Sequence, residues 1–219
     1  MLNYPCLVLD HDDTLVKSEE TVNYPYFCQV LDQLRPGTTV TLETYVQGCF
    51  HVGFARMCRD WYHFTDWEID VEYEGWKRYI RQHIPDPFPG LAQIIRQQKQ
   101  EGGLVCVVSH SCEEIIRRDY QTHIGLQPDA VYGWDLPEEK RKPSPFPLND
   151  IMEKFGLKPN ELLMVDDMRP GCDMAKRAGV AAAYAGWGRE AFPEITREMN
   201  SLCDFSFGDV SSFKNFLFD

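Results

Sequence analysis

The sequence has no uninterrupted apolar run near the roughly 18 residues that a membrane-spanning helix needs, which excludes a helical integral membrane protein. It is short of basic residues. Lysine and arginine number 22 against 34 aspartates and glutamates, for a net charge of −12. That balance argues against nucleic acid or an anionic membrane as the partner, because phosphate backbones select clustered Lys and Arg. None of the eight cysteines forms a C-x-x-C pair, so zinc-ribbon and thioredoxin-type motifs are absent. There is no internal repeat and no low-complexity segment. The first ten residues lack the charged, then apolar, then small pattern of a signal peptide, and the sequence predicts a cytoplasmic protein with all eight cysteines as free thiols.

What is present reads as a globular chain. Its 219 residues are 43% hydrophobic and 26% charged, enough for one domain or one core carrying an insertion. Short apolar runs alternate with helical patterns. Cys6-Leu7-Val8-Leu9 ends in Asp10, Leu104-Val105-Cys106-Val107-Val108 in Ser109, and Leu162-Leu163-Met164-Val165 in Asp166. Residues 130–132 and 180–184 are weaker versions. Such runs suit strands buried on both faces of a parallel sheet. Between them, residues 91–100 stop at Gly102-Gly103, residues 148–155 at Gly156 and residues 172–178 at Gly179, as helices do. Ser111 and Glu114 have the spacing of a capping box. The tail, residues 205–218, predicts a last strand and helix. The fold class is therefore α/β, a parallel sheet flanked by helices.

Residues 16–87 break the rhythm. They lack buried-strand runs, are rich in aromatics and look helical over residues 26–34 and 73–80. They close with the Pro-rich stretch Pro85-Asp86-Pro87-Phe88-Pro89. We read them as an all-helical insertion with a mostly aromatic core, leaving residues 1–15 and 88–219 as the α/β core.

The polar residues that end the strands carry the chemistry. Asp10-His11-Asp12-Asp13-Thr14 follows the first strand directly, and carboxylates packed this closely need a cation or hydrogen bonds to offset their repulsion. Ser109 closes the second strand, Lys142-Pro143-Ser144-Pro145 follows some thirty residues later, and Asp166-Asp167 closes another strand. In open α/β sheets ligands bind at the carboxyl ends of strands. Two carboxylates, a hydroxyl, a cation and an acidic pair would thus share one edge.

This set resembles the haloacid dehalogenase superfamily of phosphohydrolases, in its helical-cap branch of phosphoglycolate phosphatases and β-phosphoglucomutases. D-x-D-x-T matches Asp10, Asp12 and Thr14; the strand ending in a hydroxyl matches Ser109; the lysine matches Lys142; the acidic pair matches Asp166-Asp167. The resemblance spans the chain. It implies a Rossmann-like core with an inserted cap, and a Mg²⁺-dependent phosphatase that hydrolyses a small phosphorylated metabolite through an aspartyl-phosphate. Asp10 would be the nucleophile and Asp12 the general acid/base. Thr14, Ser109, the His110 amide and Lys142 would meet the phosphate, with Lys142 also counted as catalytic. Asp10, the Asp12 carbonyl and Asp167 would hold Mg²⁺, with Asp166 beside them. Asp12 argues against the dehalogenase branch, which lacks that carboxylate.

Other readings stay open at this point: a sugar phosphomutase on the same core, a non-catalytic phospho-acceptor resembling response-regulator receivers, or an idle phosphate-binding protein. In receivers, however, the acidic pair precedes the acceptor aspartate. His11 reads as a spacer, Asp13 as a variant of a usual glycine, Ser111 as a helix cap, and Arg56, Arg59, Lys77 and Arg78 as cap candidates for reading the leaving group. His51, His63 and His83 fit no compact metal site. The residues do not reveal the substrate or the oligomeric state.

Overall fold

The computed structural model describes residues 2–219. The chain divides into two compact units, one formed by the residues up to Val16 with Asp86–Asp219, the other by Lys17–Pro85. The boundaries lie one or two residues inside those read from the sequence. Val16 is fully buried and bridges Asp12 and Pro87, so it belongs to the first unit.

The first unit is a six-stranded, all-parallel sheet in the order β3-β2-β1-β4-β5-β6. Its strands are β1 (Cys6–Leu9), β2 (Leu104–Val108), β3 (Ala130–Tyr132), β4 (Leu162–Asp166), β5 (Ala181–Ala185) and β6 (Phe205–Phe207). Leu7 and Leu9 of β1, Val105 and Val107 of β2, Leu163 and Val165 of β4 and Ala183 and Ala185 of β5 enter one continuous core. Leu91, Ile94 and Ile95 of the helix Leu91–Gln100, and Phe213 and Leu217 of the last helix, Val210–Phe218, complete it. Each large aliphatic side chain buried this way contributes roughly 1.5–3 kcal/mol.

The register sets the site. Leu9 lies opposite Val107 and Val165, so β1, β2 and β4 end together. The Asp10 amide donates to the Val165 carbonyl (2.8 Å) and the Ser109 amide to the Tyr132 carbonyl (3.0 Å), which carries the alignment past the strands. The chain starts in mid-sheet, steps out through β2 and β3, then returns to the far side of β1. The reversal lies between β1 and β4, where such sheets place their ligands.

Two local expectations are corrected. Ser111 does not cap the helix Glu113–His123: that helix starts after Cys112, and its first amide is held by Asp135 Oδ2 at 2.8 Å. Nor are all eight cysteines free. Cys172, in the helix Arg169–Ala178, is bonded to Cys203, which ends the helix Pro193–Leu202. The packing of these helices brings the two Cα atoms to 6.0 Å, within disulfide reach, a proximity that a 31-residue separation conceals. Cys6 and Cys106 remain buried thiols in adjacent strands.

The second unit comprises a π-helical turn, Glu19–Asn23, and four helices: α1 (Tyr24–Leu34), α2 (Leu42–His51), α3 (Phe54–Tyr62) and α4 (Asp66–Gln82). Phe27 is its centre, with the rings of Tyr45, Tyr62 and Phe54 at 5.0, 5.4 and 5.8 Å. Trp61 and Trp67 depart from the expected aromatic core and are exposed. A capping box of Thr65 and Glu68 starts α4, and Arg35 clasps the same Glu68 with both terminal nitrogens, at 2.9 and 3.0 Å.

Glu72 of α4 is buried at 5% exposure, near Tyr26, Tyr45 and Cys58. Burial pushes its carboxyl up to about 8. An acid raised in the folded state must take up a proton on folding once the unfolded chain has ionised. Stability therefore falls as pH rises from the ordinary glutamate value toward 8. Glu72→Gln is expected to stabilise the protein by roughly 2–4 kcal/mol at pH 8 and by almost nothing at pH 4. Urea midpoints of both proteins across that range check this; an equal gain at both ends would remove the burial argument.

Candidate active site

The D-x-D-D-T stretch leaves β1 as a tight turn. The Leu15 and Val16 amides donate to the His11 carbonyl and the Asp13 amide to the Val16 carbonyl (2.8 Å). This winding holds Asp13 at φ +50°, in the left-handed region, and leaves Asp10 buried at 5% exposure. Lys142 arrives from the loop after β3. Its ammonium, also buried, lies 2.8 Å from Asp10 Oδ1 and donates to Asp166 Oδ2 at 2.7 Å. The other Asp166 oxygen accepts from the Met168 amide (2.8 Å). Gly171, in the first turn of the helix Arg169–Ala178, leaves room for this carboxylate, which any Cβ there would strike.

Burial works to raise the Asp10 carboxyl, but the charge and hydrogen bond of Lys142, the His11 amide and the Ser109 hydroxyl outweigh it and hold Asp10 below its ordinary value. It is therefore ionised at neutral pH, as a nucleophile must be. Asp167 is different: burial pushes it up to about 7 against the pull of the Arg189 guanidinium. Burial likewise raises Asp166, helped by the charges of Asp10 and Asp167 and opposed by Lys142.

Asp10, Asp166 and Asp167 each offer a carboxylate oxygen, and these atoms lie within 4.8 Å of one another. All are buried, all are oxygen, and four carboxylates (10, 13, 166, 167) pair with the buried cations Lys142 and Arg189. Such a donor set fits a hard divalent cation, which takes oxygen ligands and relieves carboxylate repulsion. Asp12, in the same turn as Asp10 and Asp13, is half-buried rather than buried as a residue, and its Oδ1 is itself buried.

The Thr14 hydroxyl, expected on the phosphate, donates to Asp167 Oδ1 at 3.2 Å, and the residue is 1% exposed. The turn that aims Asp10 at the edge rotates Thr14 inward, where it orients Asp167. Ser109 is buried beside Asp10, and its Oγ also accepts from the Ser111 amide (3.1 Å). The ring of His110 meets the Lys142 carbonyl (3.0 Å) and the edge of Trp134.

Sequence reasoning missed two features. His11 is no bare spacer: its Nε2 pairs with Asp119 Oδ2 at 3.0 Å, both side chains fully buried, and Asp119 Oδ1 accepts from Arg118 (2.7 Å). Burial pulls the imidazole down, yet the Asp119 hydrogen bond and the charges of Asp12, Asp119 and Asp10 raise it overall. Arg189, just past β5, grips Asp13 and Asp167. The only signal for it was a lone Arg behind Gly-Trp-Gly at a strand's carboxyl end. In the second unit Arg56, Arg59 and Lys77 are paired with Asp60, Asp66 and Glu74.

Among known proteins, the chain is similar to the phosphoglycolate phosphatase of Aquifex aeolicus (strain VF5), 32% identical over 115 residues that make up 51% of this chain and 54% of that one. The phosphoglycolate phosphatase of Vibrio vulnificus (strain CMCP6) is 31% identical over 98 residues, 43% of this chain and 42% of that one. The matches thus span about half the length of these relatives. In fold, the chain resembles a predicted phosphoglycolate phosphatase from Haemophilus somnus 129PT (TM-score 0.76, 18% identity, 99% of each chain). It also resembles CbbY from Rhodobacter sphaeroides, solved in complex with phosphate (TM-score 0.65, 18% identity, 84% of this chain and 86% of that one). The model of the haloacid dehalogenase-like hydrolase family matches residues 7–185, β1 through β5 with all four motifs. The chain belongs to the haloacid dehalogenase-like hydrolases.

Proposed function

We propose that this protein is a Mg²⁺-dependent phosphomonoesterase acting on a small phosphorylated metabolite through an aspartyl-phosphate on Asp10. The observation that carries the reading is the buried Lys142 ammonium between Asp10 and Asp166, with Asp167 in the same cluster: three separate motifs meet around one ionised, hydrogen-bonded carboxylate.

In the first step an Asp10 oxygen attacks phosphorus, the P–O bond to the leaving alkoxide breaks, and the alkoxide takes the Asp12 proton. In the second, Asp12 accepts a proton from water, whose oxygen attacks phosphorus and frees Asp10 and inorganic phosphate. Lys142, the Ser109 hydroxyl and the His110 amide steady the equatorial oxygens, where charge accumulates in phosphoryl transfer. Asp10, Asp167 and the Asp12 carbonyl would hold Mg²⁺, with Asp166 adjoining. When bound, the ion screens the anionic nucleophile from the anionic phosphate. Thr14 and Arg189 hold Asp167.

Phosphate release from a panel of phosphorylated metabolites and an aryl phosphate, with Mg²⁺ and with EDTA, tests the reading. We expect release only with Mg²⁺. Bisphosphate-activated isomerisation without net release would replace the phosphatase with a mutase. Asp12→Asn is expected to slow turnover by roughly 10²–10⁴ while leaving Mg²⁺ affinity within about twofold, because only its main-chain carbonyl would be a ligand. Calorimetry of the variant checks the second half; a large loss of Mg²⁺ binding would assign the Asp12 side chain to the ion.

A further inference from the structure

We propose that Arg189 is a positioning residue whose guanidinium pins Asp13 outside the metal-binding carboxylates and fixes the orientation of Asp167. The inference rests on the metal-dependent reading above. Arg189 is 2% exposed, with Nη1 2.7 Å from Asp13 Oδ2 and Nη2 2.6 Å from Asp167 Oδ2. It thus ties the turn after β1 to the acidic pair after β4, from a third segment that follows β5.

Two further contacts show that this segment is built for the turn it grips. Trp187 Nε1 donates to the Thr14 carbonyl at 3.0 Å. Thr14 in turn donates to Asp167 Oδ1, while the ion pair with Arg189 is made at the other oxygen, Oδ2. Gly188 lies so close to the Asp13 carbonyl that a Cβ there would strike it, and only glycine lets residues 186–189 approach. Asp13 itself sits at φ +50°, where glycine is the unstrained residue and aspartate needs a compensating contact.

The chemistry explains why a fork is required. Asp13 is a further acidic oxygen donor, buried in the same turn as Asp10. Left unpaired, it would compete for the cation or repel Asp167. A planar guanidinium satisfies two carboxylates at once and fixes the angle between them; an ammonium supplies charge without that geometry.

The test is a series on the full chain, Arg189→Met, Arg189→Lys, Asp13→Gly and Asp13→Gly/Arg189→Met, read by Mg²⁺ calorimetry and by kcat and KM for an aryl phosphate. Arg189→Met is expected to weaken Mg²⁺ binding at least about tenfold, the scale of lost ligand-orienting partners, and to lower kcat more than it changes KM. Arg189→Lys is expected to stay at least about fivefold weaker than wild type. The double variant is expected to regain most of the Mg²⁺ affinity lost by Arg189→Met, because both members of the buried pair are gone. Wild-type affinity in Arg189→Met or Arg189→Lys overturns the proposal, as does a double variant as weak as Arg189→Met. If Arg189→Met does not fold, Arg189→Lys and the double variant decide. A wild type that binds Mg²⁺ but releases no phosphate from any ester refutes the phosphatase reading alone, since the affinity series still judges Arg189. A wild type that binds no Mg²⁺ overturns both.

Discussion

Asp10→Asn is expected to lower phosphate release by at least about 10⁴, the scale seen when a catalytic nucleophile is removed. The substitution is nearly isosteric and its amide oxygen still accepts hydrogen bonds, so the Ser109 and Lys142 contacts can persist and the fold should survive. What is lost is the ionised oxygen that attacks phosphorus. Rapid acid quench of wild type with substrate is expected to trap a hydroxylamine-sensitive phosphoryl group on the protein, and the variant none. Turnover by Asp10→Asn at the wild-type rate would falsify the nucleophile assignment; a trapped phosphoryl group on another residue would relocate it.

The second large effect concerns Lys142. Its ammonium is buried and paired to Asp10 and Asp166. Burial alone would lower it, but the two carboxylates hold it above its ordinary value, so it is a cation throughout the working range. Lys142→Met leaves two buried carboxylates facing each other. Breaking a buried pair from one side costs about 3–5 kcal/mol, and removing the charge from the phosphoryl oxygens costs about 10²–10³ in kcat. We expect both losses at pH 7, with Mg²⁺ restoring part of the thermal stability and none of the kcat. Denaturant midpoints with and without Mg²⁺ separate the two. A variant as stable as wild type without Mg²⁺ would mean that water reaches the carboxylates after all.

Much of the fold and of the reactive edge is legible in the sequence alone. β1, β2 and β3 lie where their apolar runs are, because a strand buried on both faces must be apolar throughout. The glycines 156 and 179 end their helices in left-handed conformations, a preference intrinsic to the residue. The acidic and hydroxyl residues that end the runs share one edge of the sheet because strands in register end together.

Features joined by distant segments are not legible there. Ser111-x-x-Glu114 has the letters of a capping box, yet the acceptor for the Glu113 amide is Asp135, 22 residues beyond Glu113. The hydrogen bond from Thr14 to Asp167 spans 153 residues of sequence. Cys172 and Cys203, His11 and Asp119, and Arg189 with its two aspartates are pairs whose members are unremarkable apart.

By itself, then, the sequence determined the alternation of strands and helices and the residue types that end the strands, since propensity and hydrophobic period act over a few residues. Only the tertiary structure decided which carboxylate each cation serves. An ion pair in the interior depends on distance and desolvation, and both are set by packing among segments that sequence order leaves far apart.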